Sequence, residues 1–341
     1  MISVKWESLC FFRGTTEVPL KNLNQYIRFI RENNQFKKFI FRGVSRESYG
    51  LKTSFQRRYF SALNSGRSHL DKFKVYSRGR IDLKEQYIKD NDEWWAIGQH
   101  HGLATPLLDW TASPFVALYF AFRNERIVGI KEKKQIEESE EIEKIKSALD
   151  EDRAVYFLNT EEIKSKFYKL LAKELNQLPD QTPKNILEFT KKSYKTENPT
   201  QEQIGKMIEE LLELDFYKAL SVESYLTLRT YYKSVEAGFI RIVSPKSGEN
   251  ARLINQRGLF TKHISVTDLE KTISAHAGVS EKYLIKVKLP NSIREHVLKY
   301  LDSNNINDLT LFPDLEGSSL YTNTKDLEPE DPMDFFRGMY R

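Results

Sequence analysis

The residues best suited to chemistry fall in three stretches of the chain: Phe41-Arg42-Gly43, the block QHHGLATPLLDWTASPFVALYFAF from Gln99 to Phe122, and the late segment LFPDLEG from Leu311 to Gly317. KFIFRGVS, Lys38 to Ser45, is short, aromatic and β-branched and runs into a glycine, so it predicts a strand with Arg42 at its edge. A guanidinium placed there binds phosphate through paired hydrogen bonds and stays charged, or it pairs with an acid such as Asp109. Asp109, inside apolar LLDW, cannot be buried without a partner. His101 stands beside Gly102 at a helix stop, where an imidazole either does acid–base work or bonds backbone. Thr111 and Ser113 flank a helix start, which they can cap, and the free amides there can also receive an anion. Tyr119 and Trp110 offer rings for packing against a planar ligand. Arg252 and Gln256 sit in a polar run between two strands, facing either a ligand or solvent. Asp314 and Glu316 follow Pro313 in a helix's first turn, where the dipole alone favours acids.

The elements that must hold these groups are legible in outline. Trp94 to Gly102 is an apolar stretch ending at glycine, a natural helix stop, and LATPLLDWT follows as an extended connection. Ser113-Pro114 restarts a helix that is apolar nearly all round and therefore buried at the centre of the domain. RAVYFLN, Arg153 to Asn159, reads as a strand, as do GFIRIVSP, RGLFTKHIS and KYLIKVKLP, the last with strict period-two alternation. Ser292 and Glu295 form a capping-box pattern ahead of Ile293, Val297 and Leu301. The expected fold class is α+β: a mixed, mostly antiparallel sheet with a buried central helix and a largely helical insertion. Expected boundaries are 1–37 for a helical lead-in, 38–130 and 237–325 for the two halves of one domain, 131–236 for a charged, mainly helical insertion, and 326–341 for a tail.

Composition narrows the function classes. A chain of 341 residues buries a substantial core, and its single cysteine, Cys10, excludes an internal disulfide framework or a cysteine-rich zinc site. The six histidines are scattered, and neighbouring His100 and His101 point apart in regular structure, so no metal is expected. No run approaches the roughly 20 apolar residues of a membrane span, which points to the cytoplasm and away from any membrane partner. A net charge of +5 is mild for a dedicated nucleic-acid binder. Phe55 to Lys89 is locally basic with interleaved aromatics, a pattern that either grips single-stranded nucleic acid or turns its rings to the core and its charges to water.

Phe41-Arg42-Gly43, together with the Gln99 to Phe122 block, resembles the FRG domain family, named for its aromatic-Arg-Gly triplet and carrying a His-x-Gly-Leu-Pro-Thr-Arg-Leu-Leu-Asp-Trp-Thr signature. Two positions depart from that signature: Ala104 stands where it usually has proline and Pro106 where it usually has arginine, so a cation is missing or comes from Arg42 or Arg252. NARLINQRGLFT and LFPDLEG resemble the family's C-terminal half, bringing the resemblance to roughly residues 38–122 and 237–320. The family occurs largely in bacterial and phage proteins in settings of conflict between the two. A weaker similarity runs to ADP-ribosyltransferases of the arginine, serine, glutamate type, with Arg42, Thr111-Ala112-Ser113 and Glu316 in the matching order.

These resemblances imply an effector or toxin that binds NAD as substrate and transfers or releases ADP-ribose onto RNA, DNA or protein, with a neutralising partner protein. Arg42, Glu316, His101 and Asp109 would be catalytic, and Arg42, Thr111, Ser113, Tyr119, Arg252 and Gln256 would bind the nucleotide. The rival expectations are a non-catalytic nucleotide- or nucleic-acid-binding module and a nuclease-like toxin using His101 and Asp109.

Overall fold

The computed structural model describes residues 14–58, 65–80, 91–124, 151–174, 182–213, most of 226–244, 250–278 except 266, and 283–324. Residues 131–150, the start of the charged insertion expected over 131–236, lie outside them. Seven strands form one sheet in the order β1-β7-β4-β2-β3-β6-β5. They are β1 (Thr15–Pro19), β2 (Phe39–Val44), β3 (Leu107–Thr111), β4 (Arg153–Asn159), β5 (Arg241–Val243), β6 (Gly258–Lys262) and β7 (Leu284–Leu289). Only β1 and β7 pair in parallel; the other neighbours are antiparallel. The α+β class with a mostly antiparallel mixed sheet is as expected.

Strand alternation divides the core into two layers. Phe39, Phe41, Val155, Phe157, Ile285 and Val287 face one side and pack with α1 (Leu23–Glu32), α5 (Pro114–Phe122) and α11 (Arg294–Asp302). Ile40, Ala154, Tyr156, Leu158 and Leu284 face the other, under α6 (Thr160–Glu174), α7 (Thr182–Tyr194), α8 (Gln201–Glu213) and α10 (Leu269–His276). After the short α2 (Ser54–Arg58), a smaller cluster of Leu70, Trp94, Trp95, Leu107 and Phe260 joins α3 (Ser65–Tyr76) and α4 (Asn91–His100) to the β3–β6 end.

The central helix α5 forms where expected. Ser113 caps it by accepting from Val116 N at 3.3 Å, and Pro114 occupies the first turn. Gly43 is what allows α5 to lie on β2: a Cβ there would sit 1.9 Å from the Ala117 carbonyl oxygen and 2.5 Å from the Ala121 nitrogen. The helix end before Gly102 also holds. Gly102 has φ 82, its N–H donates to Gln99 O at 3.0 Å, and Leu103 N donates to Gly98 O at 2.8 Å, the paired bonds of a left-handed helix terminus.

Four expectations are corrected. The helical lead-in over 1–37 contains β1, whose β-branched Thr15, Thr16 and Val18 suit an edge strand beside β7. The stretch expected as an insertion, 131–236, contains β4, an interior strand of the sheet between β7 and β2, buried along its whole length. The extended connection LATPLLDWT carries β3, because Leu108 and Trp110 are buried in the layer under α6, α7, α8 and α10 and Leu107 in the smaller cluster with α3 and α4. Ser292 caps nothing: Asn291–Ile293 forms a 3₁₀ turn, and α11 begins at Arg294 without a side-chain cap.

Behind β6 a buried polar knot fixes the approach to α10. His263 is fully buried between Gln56 Nε2, 3.3 Å from Nδ1, and Thr272 Oγ1, 2.9 Å from Nε2. Burial pulls its pKa down to about 4. The unfolded chain takes up a proton near pH 6.5, whereas the folded protein resists it until about pH 4, so stability present at neutral pH is lost across that window. The loss approaches about 3 kcal/mol, and His263→Asn should flatten the fall in denaturant midpoint between about pH 7 and 4.5. Gly43→Ala should destabilise by about 3 kcal/mol or more through overpacking against α5; an unchanged urea midpoint would mean that this close contact does not exist.

Candidate functional site

The candidate site is a gap in the sheet. β2 pairs with β4 along six residues but meets β3 only at Phe41 and Thr111. Beyond that pair the strands part, and Arg42 reaches across the opening. Its NH1 donates to the Asp109 carbonyl at 2.7 Å and lies 3.7 Å from the Asp109 carboxylate. Both contacts use one nitrogen, so Nε and NH2 have no protein partner among the described residues. The side chain keeps 23% of its surface open, yet its charged end is deep enough that burial pulls its pKa below the usual arginine value, opposed by Asp109 and reinforced by the Arg57 charge. A guanidinium still remains charged at neutral pH.

The cavity formed by this parting has a volume of about 410 Å³, within the range of small-ligand sites. Among the described residues, Arg42 and Arg123 are its cations, Asp109 is its one lining carboxylate, and Tyr49, Trp110, Phe120 and Phe312 supply rings. Asp109 is not buried: its side chain is 64% exposed and accepts from Gln99 Nε2 at 2.6 Å. Gln99 in turn accepts from Thr105 Oγ1, which fixes its amide so that the nitrogen faces the acid.

Arg42, Asp109, Thr111 and Gln256 therefore line one cavity. Thr111 Oγ1 donates to Gln256 O at 2.6 Å and accepts from Ser113 N at 3.0 Å, tying β3 to the turn after α9 (Ala251–Asn255) and to the start of α5. Gln256 Nε2 donates to Leu311 O at 3.1 Å, docking α12 (Asp308–Leu311). Ser113 is engaged as the α5 cap. Tyr119 is buried and is not part of the lining, and burial, with Asp308 beside it, raises its hydroxyl pKa.

The remaining candidates lie apart from this lining. His101 is the exposed residue at the α4 terminus, its ring 5.0 Å from that of His100. Arg252 donates through Nε to Asp314 and through NH2 to Glu316, each at 2.6 Å. Glu316 is thus an ion-pair partner in the first turn of α13 (Leu315–Thr324), 61% exposed and outside the cavity lining. No group of three or more metal-ligating side chains occurs among the described residues.

Sequence reading passed over Gln99, Arg123 and Phe312 as site residues. Gln99 opens the quoted block, Arg123 directly follows it, and Phe312 lies inside LFPDLEG, where the acids drew the attention. The signal available for Arg123 was its position at the end of an otherwise uncharged helix.

Residues 37–128 match the FRG domain family. No curated protein and no solved structure matches the chain. The matched segment runs from β2 through α5, so it holds Arg42, Asp109, Thr111 and Arg123, whereas Gln256 and Phe312 come from beyond it. No helix among the described residues is long and apolar enough to cross a membrane.

Because the Arg252–Glu316 pair is solvent-exposed, Glu316→Gln should change stability by less than about 1 kcal/mol. A drop of several kcal/mol in chemical denaturation would show that Glu316 has a structural load its observed contacts do not account for.

Proposed function

We propose that the cleft between β2 and β3 binds NAD, and that the protein is an effector of bacterial or phage conflict that moves or releases ADP-ribose. One observation carries this reading: Arg42, two of whose guanidinium nitrogens have no partner among the described residues, lines a cavity of ligand size with Tyr49, Trp110, Phe120 and Phe312. Arg42 holds a phosphate, and a ring of the lining receives the nicotinamide or adenine. As the bond from nicotinamide to ribose breaks, the nitrogen keeps the electron pair and positive charge develops on the ribose. Asp109, rather than Glu316, is the carboxylate of the lining and the group that stabilises this charge. The acceptor then attacks the ribose carbon and passes its proton to Asp109 or, for a hydrolase, the acceptor is water.

A second reading, recognition of nucleic acid without turnover, draws on α3 and the turn after it. Tyr76 is 71% exposed there, among exposed Lys72, Arg78 and Arg80, a pairing of ring and cations suited to an unstacked strand. The same surface serves the first reading if the acceptor is a nucleic acid.

Purified protein incubated with NAD and either mixed nucleic acid or lysate protein should release nicotinamide and attach ADP-ribose, both visible by mass spectrometry. Arg42→Ala should cut the rate by about 100-fold or more, and Asp109→Asn should lower turnover more than NAD affinity. Undiminished release from folded Arg42→Ala would sink the assignment. Binding of NAD by calorimetry without release would leave a recognition module.

A further inference from the structure

The C-terminal end of α5 is surrounded by arginines with different tasks. Arg153 is almost fully buried and donates through NH1 to Ala121 O at 2.6 Å and through NH2 to Asn124 O at 3.0 Å. Arg294 donates through Nε to Phe122 O at 2.9 Å and through NH2 to Arg123 O at 3.0 Å. A basic residue in the last turn of a helix ordinarily folds back onto such carbonyls. Here two residues from other elements already do so.

Arg123 is thereby released to point elsewhere. Its guanidinium carbon lies 4.2 Å from the centre of the Phe312 ring, and its NH2 is 3.1 Å from Asp308 Oδ1. The ring restrains the guanidinium from one side, and Asp308, itself buried at 5% exposure, holds NH2 by an ion pair. Nε and NH1 have no protein partner among the described residues, and Arg123 lines the same cavity as Arg42. An arginine held over a ring and beside a buried carboxylate is preorganised for anion recognition.

We infer that Arg123 is a second anion anchor, positioned by Asp308 and Phe312, and that the ligand of this cleft carries a diphosphate or two comparably spaced anionic groups. The inference rests on the nucleotide-binding reading and adds to it the residue that holds the second phosphate. Arg42 takes one phosphate and Arg123 the other, so a nucleoside diphosphate group is held from β2 and from the end of α5 at once. Phe312 acts as a positioning residue supplied from beyond the matched segment.

The test is calorimetric titration of the full chain with ADP, AMP and inorganic pyrophosphate. Wild-type protein should bind ADP at least about tenfold more tightly than AMP, one charge-assisted contact. Arg123→Ala should bring that ratio close to one, while Arg42→Ala weakens both nucleotides. Arg123→Lys, which keeps the charge beside Asp308 but loses the flat fork, should recover only part of the preference and serves if the alanine variant does not fold. An ADP to AMP ratio unchanged in the Arg123 variants, with binding still dependent on Arg42, overturns the second anchor and leaves the nucleotide reading standing. Failure of all three probes to bind the wild type overturns both.

Discussion

The site depends on a backbone-to-backbone contact. With no side chain at Gly43, α5 settles on β2 until its own carbonyls and amides touch the strand. That depth decides where the end of the helix falls, and so where Arg123 stands relative to Arg42 on the strand beneath. The three residues of the triplet divide the work by strand alternation. Phe41 enters the aromatic layer, its ring 4.8 Å from that of Phe157, Arg42 turns toward the gap between strands, and Gly43 gives the helix its seat.

Charge in this region is arranged so that few cations remain available. Arg153 and Arg294 are committed to carbonyls, Arg252 to two carboxylates, and Arg241 and Lys262 to Asp92 at 2.6 and 2.8 Å. Asp92 is held below the ordinary carboxylate range by Lys262 and Arg241 despite the opposing effect of burial, the largest single influence on it. Against this background Arg42 and Arg123 stand out as arginines of the cavity lining with nitrogens that have no partner among the described residues. A mildly basic net charge conveys nothing of that distribution; it emerges only when each cation is matched to its acceptor.

Much of the fold could be read from the chain because its cues are local. Period-two alternation marked β7, the Ser113-Pro114 pair marked α5, and Gly102 marked the end of α4. What escaped reading depends on distant partners. β1 is a strand because β7 lies beside it, and β3 is a strand although the sequence around Thr105-Pro106 reads as a connection. The site divides in the same way. Arg42, Asp109 and Thr111 were legible from motif and context, whereas Arg123 required knowing that other arginines had already capped its helix. Glu316 drew attention through its place in the order of residues, but order along a chain does not fix distance across a fold, and Arg252 sits between Glu316 and any role in the cleft.

The position of β4 has a consequence for how such a domain can be transplanted. The segment matching the family contains β2 but not the strand that covers it along six residues, which arrives only after residue 150. Cut at the boundaries of the match, the fragment would present Phe39, Ile40 and Phe41 on an open, apolar strand edge, an invitation to pair with another chain. The recognisable sequence is therefore not a portable unit. Any gene fusion or truncation that preserves the triplet must also carry the later strands, and what is inherited intact is the whole sheet around the gap.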